Sequence, residues 1–271
     1  MSKQPRPEIA VNNPALYDYY ANLPRNEEFM QKFHWLCSHV LHSQTIWAPD
    51  SRDAVGQHLH AGKPALLLLG HATWLDPAFD AGKIYEHEEL HPIIGNNVIP
   101  ANAPYFKKPF FGWLFDKGRA IPAFRPKDIP SDGESVNDQA RETARITARN
   151  ALARICIENI DNNSNVAIFF EGTRNRGDRQ QVQPPKGTVM KIIEGVQRPN
   201  ELMVIAMMPY YGNRKLKNLV RPTLAIDHVD PSETSGLDAD AIKQFTQSTL
   251  DLAVVAYENR SHPGLFEKTL R

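Results

Sequence analysis

His71 and Asp76 are the pair in this chain whose types and spacing suit proton transfer. A carboxylate held against one imidazole nitrogen fixes the tautomer and stabilises the protonated ring. The other nitrogen is then left to take a proton as a general base. On a continuous helix, a separation of five residues would splay the two side chains apart. A strand exit followed by a helix start brings them together. Ala65 to Leu69 is an apolar run of strand length, bounded by Pro64 and Gly70, so His71 falls just past its end. Asp76-Pro77 reads as a helix start, with Asp76 as N-cap and Pro77 at the first helical position. The spacing alone equally describes a histidine that plugs a strand end beside an ordinary helix cap.

A second apolar run leaves its strand through Phe169-Phe170-Glu171-Gly172-Thr173-Arg174. Open α/β sheets bind ligands beyond the carboxyl ends of their strands, so the two exits can share one crevice. Gly172 permits close backbone approach, Thr173 offers a hydroxyl, and Arg174 offers a planar fork that matches phosphate. A third exit, Gly118 to Arg125, ends in an arginine able to reach the same anion. Val204 to Pro209 is apolar and reads as a wall. A rival chemistry lies in His87-Glu88-Glu89-Leu90-His91, the His-Glu-x-x-His pattern of zinc hydrolases, with His87 and His91 as ligands. Pro92 disfavours helix at His91, and no third ligand suggests itself, so a solvated turn competes with that reading.

The elements that would position these residues alternate regularly. Strands at 65–69, 92–95, 119–124, 165–170, 202–208 and near 221–227 are interleaved with helices at 77–90, around 106–115, 137–160 and 186–196, before a last helix at 237–257. This predicts an α/β fold with a largely parallel or mixed central sheet covered by helices on both faces. Ahead of it, 26–44 reads as a helix capped by Asn26, with Phe29, Phe33, Leu36, Val40 and Leu41 at helical spacing; 50–60 reads as another. The division is therefore an N-terminal helical extension, 1–62, and an α/β domain, 63–271.

Lys+Arg 31 balances Asp+Glu 31, which gives no electrostatic case for nucleic acid. Two cysteines, Cys37 and Cys156, make neither a disulfide framework nor a zinc knuckle and fit a reducing cytoplasm. The N-terminus has no apolar signal core, and no stretch approaches the ~20 apolar residues that span a bilayer. Membrane contact is then expected only at the surface, from the cytoplasmic side. Pro104 to Phe115 combines aromatics with Lys107-Lys108, a composition shared by interfacial anchors and by buried core. Arg141, Arg145 and Arg149 recur every four residues and read either as a docking stripe for an acidic carrier protein or anionic headgroup, or as a solvated face tempered by Glu142.

Taken in order, His71 to Asp76, Pro109 to Trp113 with Gly118 to Arg125, Phe169 to Arg174, Lys186-Gly187 and Val204 to Pro209 resemble the motif blocks of the glycerolipid acyltransferases acting on glycerol-3-phosphate and 1-acyl-glycerol-3-phosphate. The resemblance spans about residues 65–210. It implies that His71 deprotonates an acceptor hydroxyl and that Asp76 orients it. The hydroxyl then attacks the thioester of acyl-CoA or acyl-carrier protein, with no metal, no other cofactor and no acyl-enzyme. It further implies that Arg125, Glu171, Gly172, Thr173 and Arg174 bind the glycerol-phosphate end, with Lys186 among the substrate-binding residues. Thr73 stands where the family has serine, Phe170 replaces its proline, Asn175 replaces a usual serine, and Asn96-Asn97 lie near its lysine. These departures bear on the acceptor and on sn position. A non-catalytic lipid-binding protein would keep the apolar surface but has no use for a paired His71 and Asp76.

Overall fold

Ala65–Leu69 is buried along its whole length, the state of a strand covered on both faces. A computed structural model describes residues 5–24, 26–125, 128, 138–172, 180–212 and 222–261. Its elements in chain order are α1 (Pro14–Ala21), α2 (Glu27–Val40), β1 (Gln44–Trp47), α3 (Ser51–His60), β2 (Ala65–Leu69) and α4 (Asp76–Glu86). A 3-10 helix (Glu88–Ile93) leads to β3 (Asn97–Asn102), α5 (Ala103–Phe106), α6 (Pro109–Lys117), β4 (Ala120–Ala123), α7 (Asp138–Asp161) and β5 (Asn165–Phe169). Then come α8 (Gly187–Gly195), β6 (Met203–Tyr210), β7 (Thr223–Val229) and a C-terminal helix, Ala239–Ser261.

The seven strands form one mixed sheet in the order β1-β7-β6-β2-β5-β3-β4. Every adjacent pair is parallel except β6 with β7. Successive strand residues point to opposite faces, and the two cores divide accordingly. Leu66, Leu68, Val166, Ile168, Val204 and Ala206 pack toward α7, α8 and the C-terminal helix. Leu67, Leu69, Ala167, Ile205 and Met207 pack toward α3, α4 and the 3-10 helix. The expected α/β sheet with helices on both faces is the observed fold.

Three local expectations need correction. No strand forms at 92–95: His91, Pro92 and Ile93 lie in the 3-10 helix, whose Leu90 and Ile93 are fully buried, and the strand follows at Asn97–Asn102. An apolar run reads as strand or as buried helix alike, and only the packing decides. Pro100, within that strand, falls where β3 pairs with β4 and no longer with β5, so its missing N–H costs no ladder bond on the β5 side. The N-cap of α4 is Leu75, and Asp76 is the first residue of the helix. Finally, α2 ends at Val40, and Gln44–Trp47 joins the sheet as an edge strand against β7.

The orientation of α2 has a further consequence. Its buried side is Met30, His34, Cys37 and Ser38, packed on α4 so closely that a Cβ on Gly82 would sit 3.1 Å from the Cys37 backbone carbon. Leu36 and Val40 on the apolar stripe are exposed at 53% and 61%. Among the described residues no helix is long and apolar enough to cross a membrane.

Candidate active site

Three neighbouring parallel strands, β6, β2 and β5, end side by side, with Leu69 in register with both Met207 and Phe169. Their exits deliver Tyr211, His71 and Glu171. Gly70 makes the first turn out of β2 possible, because a Cβ there would lie 2.9 Å from Cδ of Pro209 on β6. The chain then bends into α4, and His71 Nδ1 comes 3.2 Å from Asp76 Oδ2. Asp76 is fully buried, whereas the His71 side chain retains 20% of its exposure. The ring of His71 lies over Phe169, centroids 4.4 Å apart.

Asp76 does not bond the amides of its own helix. Its Oδ2 accepts the Thr73 N–H at 2.6 Å, and its Oδ1 accepts the Thr73 hydroxyl at 2.9 Å. The Tyr211 hydroxyl also donates to Oδ1. A carboxylate fixed in this way holds the neutral imidazole with its proton on Nδ1, which leaves Nε2 as the basic nitrogen. The hydroxyl of Thr73, in the position where serine was expected, performs a bond that serine also could. One turn further along α4, Asp80 is buried, and neither of its carboxyl oxygens has a hydrogen-bond partner among the described residues. Burial, and secondly the charge of Asp76, push its pKa well above the carboxylate range.

At the β5 exit, Gly172 has φ +69°, and a Cβ there would approach Cγ of Lys186 to 2.8 Å. The Lys186 N–H donates to the Phe170 carbonyl at 2.9 Å, so this lysine is tied to the same exit. Glu171 is buried; its Oε1 accepts the Gln183 N–H at 2.9 Å, and its Oε2 has no partner among the described residues. Burial raises its pKa to about 7, which makes it able to donate or accept a hydrogen bond with a hydroxyl near neutrality. Thr173 and Arg174, the remaining expected binders of this loop, lie outside the described residues.

Arg125 reaches the same end of the sheet but two strands away, after β4, and its fork is engaged by Asp128 through Nε and Nη2, each at 2.8 Å. Of the arginine stripe on α7, Arg145 is paired with Glu142. Arg149 instead leans over the start of α8, its Nη1 3.6 Å from where a Gly187 Cβ would stand, with its Nε buried and unbonded. His87 and His91 do not share a helix face: His87 caps α4 and His91 lies on the 3-10 helix with Nε2 on the Tyr85 carbonyl. Among the described residues no three His, Cys, Asp or Glu side chains gather as metal ligands.

Tyr211 is the residue that sequence reasoning missed. Val204 to Pro209 reads as a wall, yet the exit of that strand lies two residues beyond Pro209. The signal was available in the rule already applied to His71 and Glu171, that reactive side chains collect just past strand ends.

No curated protein matches the chain. The sequence model of the family described as Acyltransferase matches residues 52–208, more than half of the 271, and takes in β2, β5, most of β6 and the His71–Asp76 pair; the chain belongs to that acyltransferase family.

Proposed function

We propose that the protein moves a fatty acyl group from acyl-CoA or acyl-carrier protein to the hydroxyl of a glycerol-phosphate acceptor, 1-acyl-glycerol-3-phosphate or glycerol-3-phosphate, in phospholipid synthesis. The observation that carries this reading is the imidazole of His71 held through Nδ1 by a buried carboxylate while its ring stays partly exposed. In this mechanism Nε2 takes the proton of the acceptor hydroxyl as its oxygen attacks the thioester carbon. The tetrahedral adduct collapses to the ester, and the departing thiolate recovers the proton from His71. Asp76 stabilises the imidazolium between the two transfers.

The acceptor's glycerol hydroxyls suit the free Oε2 of Glu171. Its phosphate suits Lys186 beside Gly172, together with Thr173 and Arg174 of the same loop. Arg125 joins them only by exchanging Asp128 for phosphate.

The acyl chains imply a lipid surface, and the exposed aromatics support peripheral contact at the cytoplasmic membrane face. Behind the exposed Trp113 of α6 lie two half-buried rings of α2: Phe29 meets Trp113 at 5.4 Å between centroids and stacks on Phe33 at 6.3 Å. Phe110, 65% exposed, and Phe111 continue the apron toward Tyr105, over which Lys108 lies. Aromatic rings beside lysines suit an interface of acyl chains and anionic headgroups.

The test is release of thiol from long-chain acyl-CoA by the purified protein with glycerol-3-phosphate, 1-acyl-glycerol-3-phosphate or an unphosphorylated lysolipid as acceptor. Turnover confined to the phosphorylated acceptors is the expected result. Equal turnover with the unphosphorylated lysolipid would move the acceptor to a plain hydroxyl compound.

A further inference from the structure

Asp76 is held from two directions. Thr73 belongs to the same turn and bonds both carboxyl oxygens, whereas Tyr211 arrives from the end of β6, 135 residues along the chain. The phenol is 1% exposed, packs edge to face with Phe79 at 6.0 Å between centroids, and donates a hydrogen bond to Asp76 Oδ1. A carboxylate shares its charge among all its donors, so each bond to Oδ1 weakens the pull of Oδ2 on the imidazole proton.

The geometry points to Tyr211 as a positioning residue of acyl transfer, whose hydroxyl clamps Asp76 in the rotamer facing His71 and tempers how strongly that carboxylate retains the imidazolium proton. The base must release its proton to the departing thiolate after taking it from the acceptor. A base that must do both works best with a pKa near the working pH, and a carboxylate with fewer donors would hold the imidazolium proton more tightly. This inference rests on the reading of His71 as base.

Among the described titratable groups around Asp76, Glu171 is the one whose charge changes near neutrality, and the others keep one state there. Burial, and secondly the charge of Asp76, push the pKa of Asp80 on α4 well above its ordinary value. His34, from α2 packed on that helix, is pushed down to about 4 by burial and is neutral. Lys83, further along α4, is directed to Glu86 and the Ser43 carbonyl. Glu171, from the β5 exit, is raised by burial and lowered by Lys186.

The test follows the ring titration of His71 by NMR in the full chain, its signal assigned by its loss in His71→Gln. Tyr211→Phe keeps the ring and deletes the donor. The expected result is a His71 midpoint moved upward by about half a pH unit or more, since the carboxylate recovers charge. With it, kcat should fall about tenfold at neutral pH while both KM values stay within about twofold. A purely structural phenol would lower thermal stability and leave the midpoint where it was, and that outcome overturns the inference. Should Tyr211→Phe not fold, 3-fluorotyrosine at position 211, a stronger donor of nearly the same shape, should move the midpoint downward; an unmoved midpoint there overturns the inference equally. The base role of His71 is read separately, from the turnover of His71→Gln. Wild-type turnover in that variant removes the base, whatever Tyr211 does to the ring.

Discussion

Asp80 shows how much the surroundings of one residue decide. Its place one turn after Asp76 puts a second carboxyl in a dry site, where two adjacent negative charges oppose one another, and burial, with the Asp76 charge second, raises its pKa well above the ordinary value. In the unfolded chain it ionises in the ordinary carboxylate range. A group whose folded pKa is raised stabilises the fold fully only below its unfolded pKa, and that contribution is lost as pH rises toward the folded value. Asp80→Asn removes this loss. Denaturant unfolding at pH 5 and pH 8 should therefore show the wild type losing stability relative to the variant, by up to about 1.4 kcal/mol per pH unit. Parallel pH dependences in the two proteins would show that Asp80 is ionised in the folded state. The sequence marked Asp76 because a histidine stood five residues before it. It gave Asp80 no such mark, because what distinguishes Asp80 is the absence of any partner.

Among the elements, those carrying the site were legible because their signals are local. Strands Ala65–Leu69 and Asn165–Phe169 are apolar runs ended by Gly70 and by Glu171-Gly172, and they formed at the expected places. What was illegible is what each element packs against. The stripe Phe29, Phe33, Leu36 and Val40 on α2 has the spacing of a core-facing helix, yet Leu36 and Val40 are exposed while His34, Cys37 and Ser38 are buried. Periodicity reports that a helix has an apolar face and not what covers it. Pro104 to Phe115 divides in the same manner, with Phe106 buried at 1% and Phe110 and Trp113 outside. If the outer stripe meets lipid, replacing Phe110 and Trp113 together by serine should lower co-sedimentation with vesicles containing anionic phospholipid by at least about tenfold. Thermal stability and turnover of a short-chain, micelle-free acyl-CoA should stay near wild type. Undiminished vesicle binding would assign the apron to some other contact.

At the level of the whole molecule, strand order is what the sequence withheld, since alternating strands and helices do not state which strands become neighbours. The order β6-β2-β5 sets Tyr211, His71 and Glu171 on adjacent exits, while β3 and β4 carry Arg125 to the sheet's edge and into a pair with Asp128. Residues chosen singly for their chemistry are thus sorted by topology into a central trio and a peripheral arginine. On the proposed mechanism, His71 takes the acceptor's proton. It is tested most directly by thiol release from long-chain acyl-CoA in the presence of 1-acyl-glycerol-3-phosphate, with wild type and His71→Ala compared at equal concentrations of protein whose folding has been checked by circular dichroism and thermal unfolding. A general base contributes ~10²–10⁴ in rate, so His71→Ala should fall by that factor with its fold intact. A folded His71→Ala protein that releases thiol at close to the wild-type rate would contradict the account.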